Sequence, residues 1–174
     1  MEEEKKEGAV SKFFRENDGK IKYSLIDFDQ WILNYTNKIY HNDVFDDSIE
    51  SYLTALILNF NWFNHVDISY THYQVLSNLK TLSYNLAIEY GFGDAKIKGP
   101  YLKPFTPLAK VLMHGAIKYE IDNWKKESDD ILHCVDSALR HIAELQEGNL
   151  YDLDSSEHHI GHIMANIMFL SYHL

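Results

Sequence analysis

VDSALRHIAELQEGNLYDLDSSEHHIGHIMANIMFL, residues 135–170, is the stretch on which the reading of the fold turns. Leu132, Val135, Leu139, Ile142 and Leu145 recur at helical spacing and stop at Gly148. After the loop GNLYDLDSS, Ile160, Ile163, Met164, Ile167 and Leu170 set up a second helical period from about Glu157. Two amphipathic helices joined by a polar loop are expected, with Ser128-Asp129-Asp130 capping the first of them. Polar residues of a particular kind lie along them: Asp136, Arg140 and His141 on the first, Asp152 in the loop, and His159, His162 and Asn166 on the second.

Working back toward the N-terminus, Thr106-Pro107 marks a helix start, a capping hydroxyl followed by proline in the first turn. That helix is expected to run through Leu108, Val111, Leu112, Ala116 and Tyr119 toward Trp124. Gly115 inside it implies close approach by a helix or ligand, or a tolerated defect of roughly 1 kcal/mol. Residues 92–105, rich in Gly and Pro, read as a loop. Further back, three more helices are expected. The first starts at Asp27, with Trp31, Ile32, Tyr35, Ile39 and Tyr40 as its stripe, and ends near His41. The second opens at Asp46-Asp47, carries Ile49, Leu53, Leu56, Ile57 and Phe60, and closes at Trp62-Phe63. The third follows a capping box at Thr71–Gln74 and carries Val75, Leu76, Leu79, Leu82, Leu86 and Ile88 to Gly91.

Residues 1–20 form a charged arm, and residues 21–174 one helical domain: N-terminal helices over 21–91, the loop 92–105, and the site-bearing helices over 106–174. With no strand pattern and no repeat, the expected class is all-α, a single-domain bundle of about six helices.

The 174-residue chain is long enough for a core of its own, and 45% hydrophobic and 14% aromatic content argues against disorder. A net charge of -10 disfavours nucleic-acid backbones and anionic membranes as partners. A small phosphorylated ligand stays compatible if local cations outweigh the global field. The single Cys134 cannot form an internal disulfide, and neither a membrane-spanning apolar run nor a secretory leader is evident, so a cytoplasmic protein is expected.

His159, His162 and Asn166 stand at i, i+3 and i+7 on one helical face, and two neutral imidazoles one turn apart can share a divalent cation. The plain reading is surface histidines in a chain with ten of them, and His158 is an alternative partner for His162. Asp136 and Arg140 at i,i+4 read as a helix salt bridge worth roughly 0.2–0.5 kcal/mol. In the functional reading, Asp136 and His141 join His159 and His162 as metal ligands, while Arg140 turns its planar fork to a phosphate. Lys118 adds a second phosphate contact, Asn123 a base or sugar contact, and Tyr119 or Trp124 a stacking surface, although both aromatics read equally well as core or rim. Asn166 completes the substrate-binding set. Asp152 could ligate metal, activate water as a general base, or cap a turn.

GAIKYEIDNWKK (residues 115–126) followed by residues 135–170 resembles a phage-associated domain family labelled dATP/dGTP diphosphohydrolase-like. Its pattern runs G-A-x-K-Y-G-x-x-N-W, D-A-x-x-R-H, G-E-x-x-D-x-E-S-G and H-x-x-H-x-x-x-N. The matching positions are Gly115, Ala116, Lys118, Tyr119, Asn123 and Trp124; Asp136, Arg140 and His141; Gly148, Asp152 and Ser155; and His159, His162 and Asn166, all within about residues 105–172. This chain departs at Glu120, Asn149 and Ser156, where the pattern has Gly, Glu and Gly. The resemblance implies kinship with MazG-like nucleotide pyrophosphohydrolases, which are all-α and use Mg²⁺ held by helix carboxylates; of their E-x-x-E pair only Glu144 and Glu147 offer the spacing here, beside a helix end. The implied activity is metal-dependent dNTP hydrolysis to a monophosphate and pyrophosphate, with Mg²⁺ or Mn²⁺ as cofactor and another transition metal as alternative. Asp152, Arg140 and Lys118 would be the catalytic groups. The competing expectation is a non-catalytic module that binds a nucleotide or a host protein. The N-terminal helices, outside the resemblance, would serve as a lid or a homo-oligomer surface.

Overall fold

The computed structural model describes residues 20–41, 47–61, 63, 75–94, 103–126 and 131–174. Six α-helices occur among them: α1 (Lys20–Tyr40), α2 (Asp47–Asn61), α3 (Val75–Glu89), α4 (Thr106–Lys118), α5 (Ile131–Gln146) and α6 (His159–His173). Short 3-10 turns at Phe92–Asp94, Lys103–Phe105 and Asn123–Lys125 complete the regular structure. Among the described residues there is no sheet, only an isolated antiparallel bridge between Tyr151 and His158. The chain is thus an all-α domain, and none of its described helices is long and apolar enough to cross a membrane. The arm, the capping residues Thr71–Gln74 and Ser128–Asp130, and Asp46 and Trp62 lie outside the described residues.

Helix α6 is the axis of the packing. Ile160, Ile163, Met164, Ile167, Met168 and Leu170 are all fully buried, and α6 packs against α5, α4, α3 and α1. A helix enclosed on several sides needs apolar residues nearly all round, which HIGHIMANIMFLSYH supplies. The surrounding helices contribute Phe28, Ile32 and Tyr35 from α1, Leu53, Leu56, Ile57 and Phe60 from α2, and Leu76, Leu79, Leu82 and Leu86 from α3. Ile88, expected in that last stripe, is instead largely exposed. Gly91 follows α3 with a φ of 90°, in the left-handed region a side chain disfavours.

Two features differ from the expectation raised by periodicity. Helix α1 begins at Lys20 rather than Asp27, and α4 stops at Lys118, where a continuation to Trp124 was expected. After α4 the chain turns through Asp122, whose φ of 59° is left-handed, an excursion Asp tolerates better than most residues. The turn is held by a Lys125–Asp122 ion pair at 3.0 Å. It delivers Trp124 onto Phe169 of α6, stacked at 4.7 Å between ring centroids, with the edges of Trp31 and Tyr172 at 5.6 and 5.2 Å. The ring contacts of this half-buried aromatic offset the few helical hydrogen bonds that the turn forgoes.

The close approach expected at Gly115 belongs to another glycine. A Cβ on Gly115 would meet nothing within 4 Å, whereas one on Gly161 would lie 2.4 Å from the carbonyl oxygen of Pro107. The starts of α4 and α6 therefore touch backbone to backbone. Gly161→Ala is expected to lower stability by about 1–3 kcal/mol, the range for an overpacked core. Gly115→Ala should raise it by up to about 1 kcal/mol through helix propensity alone. Thermal or urea unfolding of the two variants checks both signs, and a neutral Gly161→Ala would show that the crossing is loose.

Candidate metal and phosphate site

The site grows from the connection between α5 and α6. Helix α5 ends in a Schellman arrangement in which Asn149 N–H donates to Glu144 O at 2.9 Å and Gly148 N–H to Leu145 O at 3.1 Å, with Gly148 at a φ of 89°. The chain then doubles back: Asp152 N–H donates to Glu157 O and His159 N–H to Leu150 O, each at 2.9 Å. At the start of α6 the ring Nδ1 of His158 accepts the Ile160 N–H at 3.1 Å, so a histidine does the capping work usually left to Ser or Asp. Tyr90, Phe92 and Tyr151 pack around that ring. His158 is thus a structural cap rather than a partner for His162.

Asp152 is held inside this loop. Its Oδ2 accepts both the Ser155 N–H and the Ser155 hydroxyl, each at 2.9 Å. Ser155 Oγ in turn lies 3.2 Å from the Glu157 N–H nitrogen and 2.8 Å from His162 Nε2. A hydroxyl has one proton to donate and two lone pairs to accept with. With its proton on Asp152, Oγ accepts from Glu157 and from His162, which places the His162 proton on Nε2 and a lone pair on Nδ1. Both Ser155 bonds land on Oδ2, so Oδ1 keeps its lone pairs.

Across from the loop, α5 supplies His141 and α6 supplies His159, whose Nδ1 atoms lie 2.7 Å apart. Their rings are buried, and His162 stacks flat on His141, with centroids 4.5 Å apart and planes 14° from parallel. One donor atom each from His141, Asp152 and His159 falls within 4.8 Å of the others, the spacing of a metal-ligand group. The electrostatics keep these donors in their ligating forms. Burial, helped by the neighbouring His162, His159 and Arg140, pushes His141 down to about 3. Burial also lowers His159 and His162, against the opposing pull of Asp152. For Asp152 burial acts upward, but the two Ser155 hydrogen bonds and the adjacent histidines outweigh it and hold the carboxyl below its usual value. The chemistry of the donor set, two neutral imidazoles and one carboxylate, therefore fits a divalent cation.

In front of this group lies an open cavity of about 650 Å³. Lys118, Tyr119, Asn123, Trp124, Arg140, His141, Asp152, His162 and Asn166 all line it. His159 lies behind this wall. Asp136 is exposed on α5 and belongs neither to the cavity lining nor to the ligand-spaced group. Asp152, not Asp136, is the carboxylate within ligand spacing of the two imidazoles. Asn166 spends its amide N–H groups on His162 O at 2.8 Å and Ser137 Oγ at 3.3 Å. Trp124 has one face on Phe169, and its carbonyl accepts from His173 Nε2 at 3.0 Å. Sequence reasoning did not give a role to Ser155 or to His114. Ser155 lay within the matched motif, and His114 stands one helical turn before Lys118 and faces the same cavity.

These features define an all-α domain with a buried imidazole–carboxylate group opening onto a cation-bearing cleft. Residues 95–174, the C-terminal part of the chain, match the family model of the dATP/dGTP diphosphohydrolase N-terminal domain. That segment is similar to the diphosphohydrolase N-terminal domain, and it contains every residue of the site. Neither a curated protein nor a solved structure matches the chain. Of the departures at Asn149, Glu120 and Ser156, the first two stand apart from the ligand group. Asn149 is exposed and donates to Glu144 Oε2 at 2.8 Å, and Glu120 pairs with Lys126 at the cavity rim. The third, Ser156, has a φ of 60°, the conformation for which glycine is suited. Ser156→Gly is expected to raise stability by about 0.5–1 kcal/mol by removing the left-handed penalty; a fall in the urea midpoint would contradict this.

The lowered histidines set a second expectation, for protein treated with chelator. The fold keeps them neutral while the unfolded chain takes up protons below about pH 6.5. Their contribution is therefore complete above that value and is lost as pH falls toward the folded values of about 3 for His141 and about 4 for His158. Each removes up to about 1.4 kcal/mol per pH unit on the way. Tm is expected to be nearly level from about pH 8 to 7 and to drop steeply between about pH 6 and 4.5. A Tm unchanged at about pH 5 would mean that these rings are hydrated.

Proposed function

We propose that the protein is a metal-dependent nucleoside triphosphate diphosphohydrolase acting on deoxynucleotides, releasing a nucleoside monophosphate and pyrophosphate. The observation that carries this reading is the shared cavity. Lys118 and Arg140 line the same cleft as His141 and Asp152, so a triphosphate can meet both cations while its scissile linkage faces the ligand group. Arg140 is exposed yet near enough for its charge to depress His141, His159 and His162. A divalent cation at His141, Asp152 and His159 would supply Lewis-acid polarisation of a phosphoryl oxygen.

The residues of the chain do the rest. Arg140 and Lys118 bind and orient the phosphates and take up charge as the bond between the α-phosphorus and the bridging oxygen breaks. Water attacks that phosphorus, and the departing group is pyrophosphate. Asp152, committed to the ligand group, is less suited to accept the proton of that water than His162. The latter lines the cavity, has its pKa lowered by burial, and, with Nε2 donating to Ser155 Oγ, carries its free lone pair on Nδ1. Asn123 and the exposed Tyr119 ring line the same cleft and would contact sugar and base, while Asn166, its amide N–H groups spent on His162 and Ser137, would offer only its carbonyl oxygen.

A second reading, a nucleotide-binding module without turnover, draws support from the match being to an N-terminal domain over 80 of 174 residues. The two separate in one assay. Purified protein is incubated with dATP, dGTP, dCTP and dTTP and with Mg²⁺, Mn²⁺, Co²⁺ or Zn²⁺, and pyrophosphate and monophosphate are measured. Turnover is expected, with Arg140→Ala reducing kcat/KM about 100-fold and leaving Tm unchanged, because the side chain is exposed. Nucleotide-dependent thermal stabilisation without product supports the binding module; neither effect would remove both readings.

A further inference from the structure

We infer that the His141–Asp152–His159 group is a selective site for a borderline transition-metal ion, of the Fe²⁺, Co²⁺ or Zn²⁺ class, and not a Mg²⁺ site. The inference deepens the hydrolase reading by assigning its cofactor class, but it stands on the donor set alone and survives if no substrate is turned over.

Ligand chemistry separates the two classes. Mg²⁺ is hard, keeps several waters and is held by one or two carboxylates with substrate phosphates, whereas imidazole nitrogen suits the later first-row ions. Here two of the three ligand-spaced donors are imidazole nitrogens. Both belong to rings at most 6% exposed, a poor setting for an ion that dehydrates reluctantly. The two Nδ1 atoms face one another at 2.7 Å. Two nitrogens bound to one tetrahedral ion at about 2.0–2.1 Å lie roughly 3.3 Å apart, so the rings need to part by only about 0.6 Å. Two ring nitrogens facing at that distance either share a proton or oppose their lone pairs, and an ion between them satisfies both at once.

The surroundings have the character of an outer ligand shell. The Tyr151 backbone lies close enough to the His159 ring to favour its protonated form, the kind of backbone neighbour that orients a ligating imidazole. Ser155 clamps Asp152 through Oδ2 and is itself held by the Glu157 N–H and by His162. Through Nε2, spent on Ser155 and 3.9 Å from the carboxylate oxygen, His162 also helps hold this clamp, which leaves its Nδ1 to act as base. Its ring lies parallel to His141 rather than turned toward the Nδ1 pair. The site has three protein ligands and opens, at His141 and Asp152, onto the cavity where a fourth position is available to solvent or substrate.

The test uses the full chain and reads metal binding without reference to activity. Protein purified without chelator is assayed for bound metal by mass spectrometry. It is then stripped and titrated with Zn²⁺, Co²⁺ or Mg²⁺ while Tm is followed, and Co²⁺ loading is monitored by its visible d–d absorption. About one equivalent of transition metal per chain is expected, with Tm rising on adding the transition ions but not on adding a hundredfold excess of Mg²⁺. His159→Gln and the near-isosteric Asp152→Asn should each abolish the Co²⁺ band. Asp152→Asn serves where His159→Gln fails to fold, with helicity by circular dichroism as the check. Ser155→Ala should weaken Co²⁺ affinity about 10- to 100-fold without abolishing the band, which a purely structural serine would not do. Absence of stoichiometric metal, stabilisation by Mg²⁺ equal to that by transition ions, or an unchanged band in Asp152→Asn would each overturn the inference. Turnover supported by Mg²⁺ alone, with no transition-ion binding, sinks the inference and leaves the hydrolase; a loaded site without turnover does the opposite.

Discussion

The structure depends on one helix being surrounded while carrying groups that do not belong in a hydrocarbon core. Helix α6 buries Ile160, Ile163, Met164, Ile167, Met168 and Leu170 completely, yet His159, Asn166 and Ser171 are buried along with them. A buried polar group without a partner costs about 1–3 kcal/mol, so each must be matched locally. Ser171 returns its hydroxyl to Ile167 O at 2.8 Å and Asn166 its amide to His162 O. His159 has no such intrahelical solution and reaches across to His141 of α5. The α5–α6 interface is thereby specified by chemistry as well as by shape.

From that requirement the site follows. A hydrogen bond between two neutral imidazoles serves as a structural contact, but it leaves the pair adjacent to a carboxylate whose charge is stabilised by Ser155. Burial lowers the histidines in the same region where hydrogen bonding lowers Asp152. Near neutral pH these opposite requirements coincide, giving lone pairs on nitrogen and a full charge on oxygen. Perturbed groups of this kind cluster at functional sites. The cations of the cleft stand apart from the buried group: Arg140 and Lys118 line the same cavity but remain exposed.

How much of this was legible in the chain depends on the range of the interaction. The helical class, the stripes of α2 and α3 and the halt at Gly148 follow from local periodicity and from residues that tolerate positive φ. Tertiary competition escapes such reasoning. Trp124 leaves the helix expected to hold it because Phe169, 45 positions away, offers a stacking partner. His141, His159 and the cleft residues were recognisable from motif spacing, since helix faces preserve spacing in space. The carboxylate was harder: Asp136 shares a helix with His141 but faces solvent, while Asp152 reaches the histidines only because the loop folds back on the Tyr151–His158 bridge. Gly115 and Gly161 look alike as letters, and only the crossing at Pro107 tells them apart.

The helices outside the family match bear on the site through the same central element. Residues 95–174 include α4, α5 and α6, but α6 also packs against α1 and α3. Without those helices, several of its fully buried Ile, Met and Leu side chains would face water, at roughly 25 cal/mol for each Å² exposed. Trp31 of α1 also closes the aromatic cluster that holds Trp124, and Lys125 sits over the Trp31, Trp124 and Tyr172 rings at 5.3 to 5.9 Å. Lys38 donates to the Leu174 carbonyl at 2.9 Å. The N-terminal helices are therefore the other half of the core: they fix the rotation of α6 about its axis, and with it the direction in which His159 meets His141.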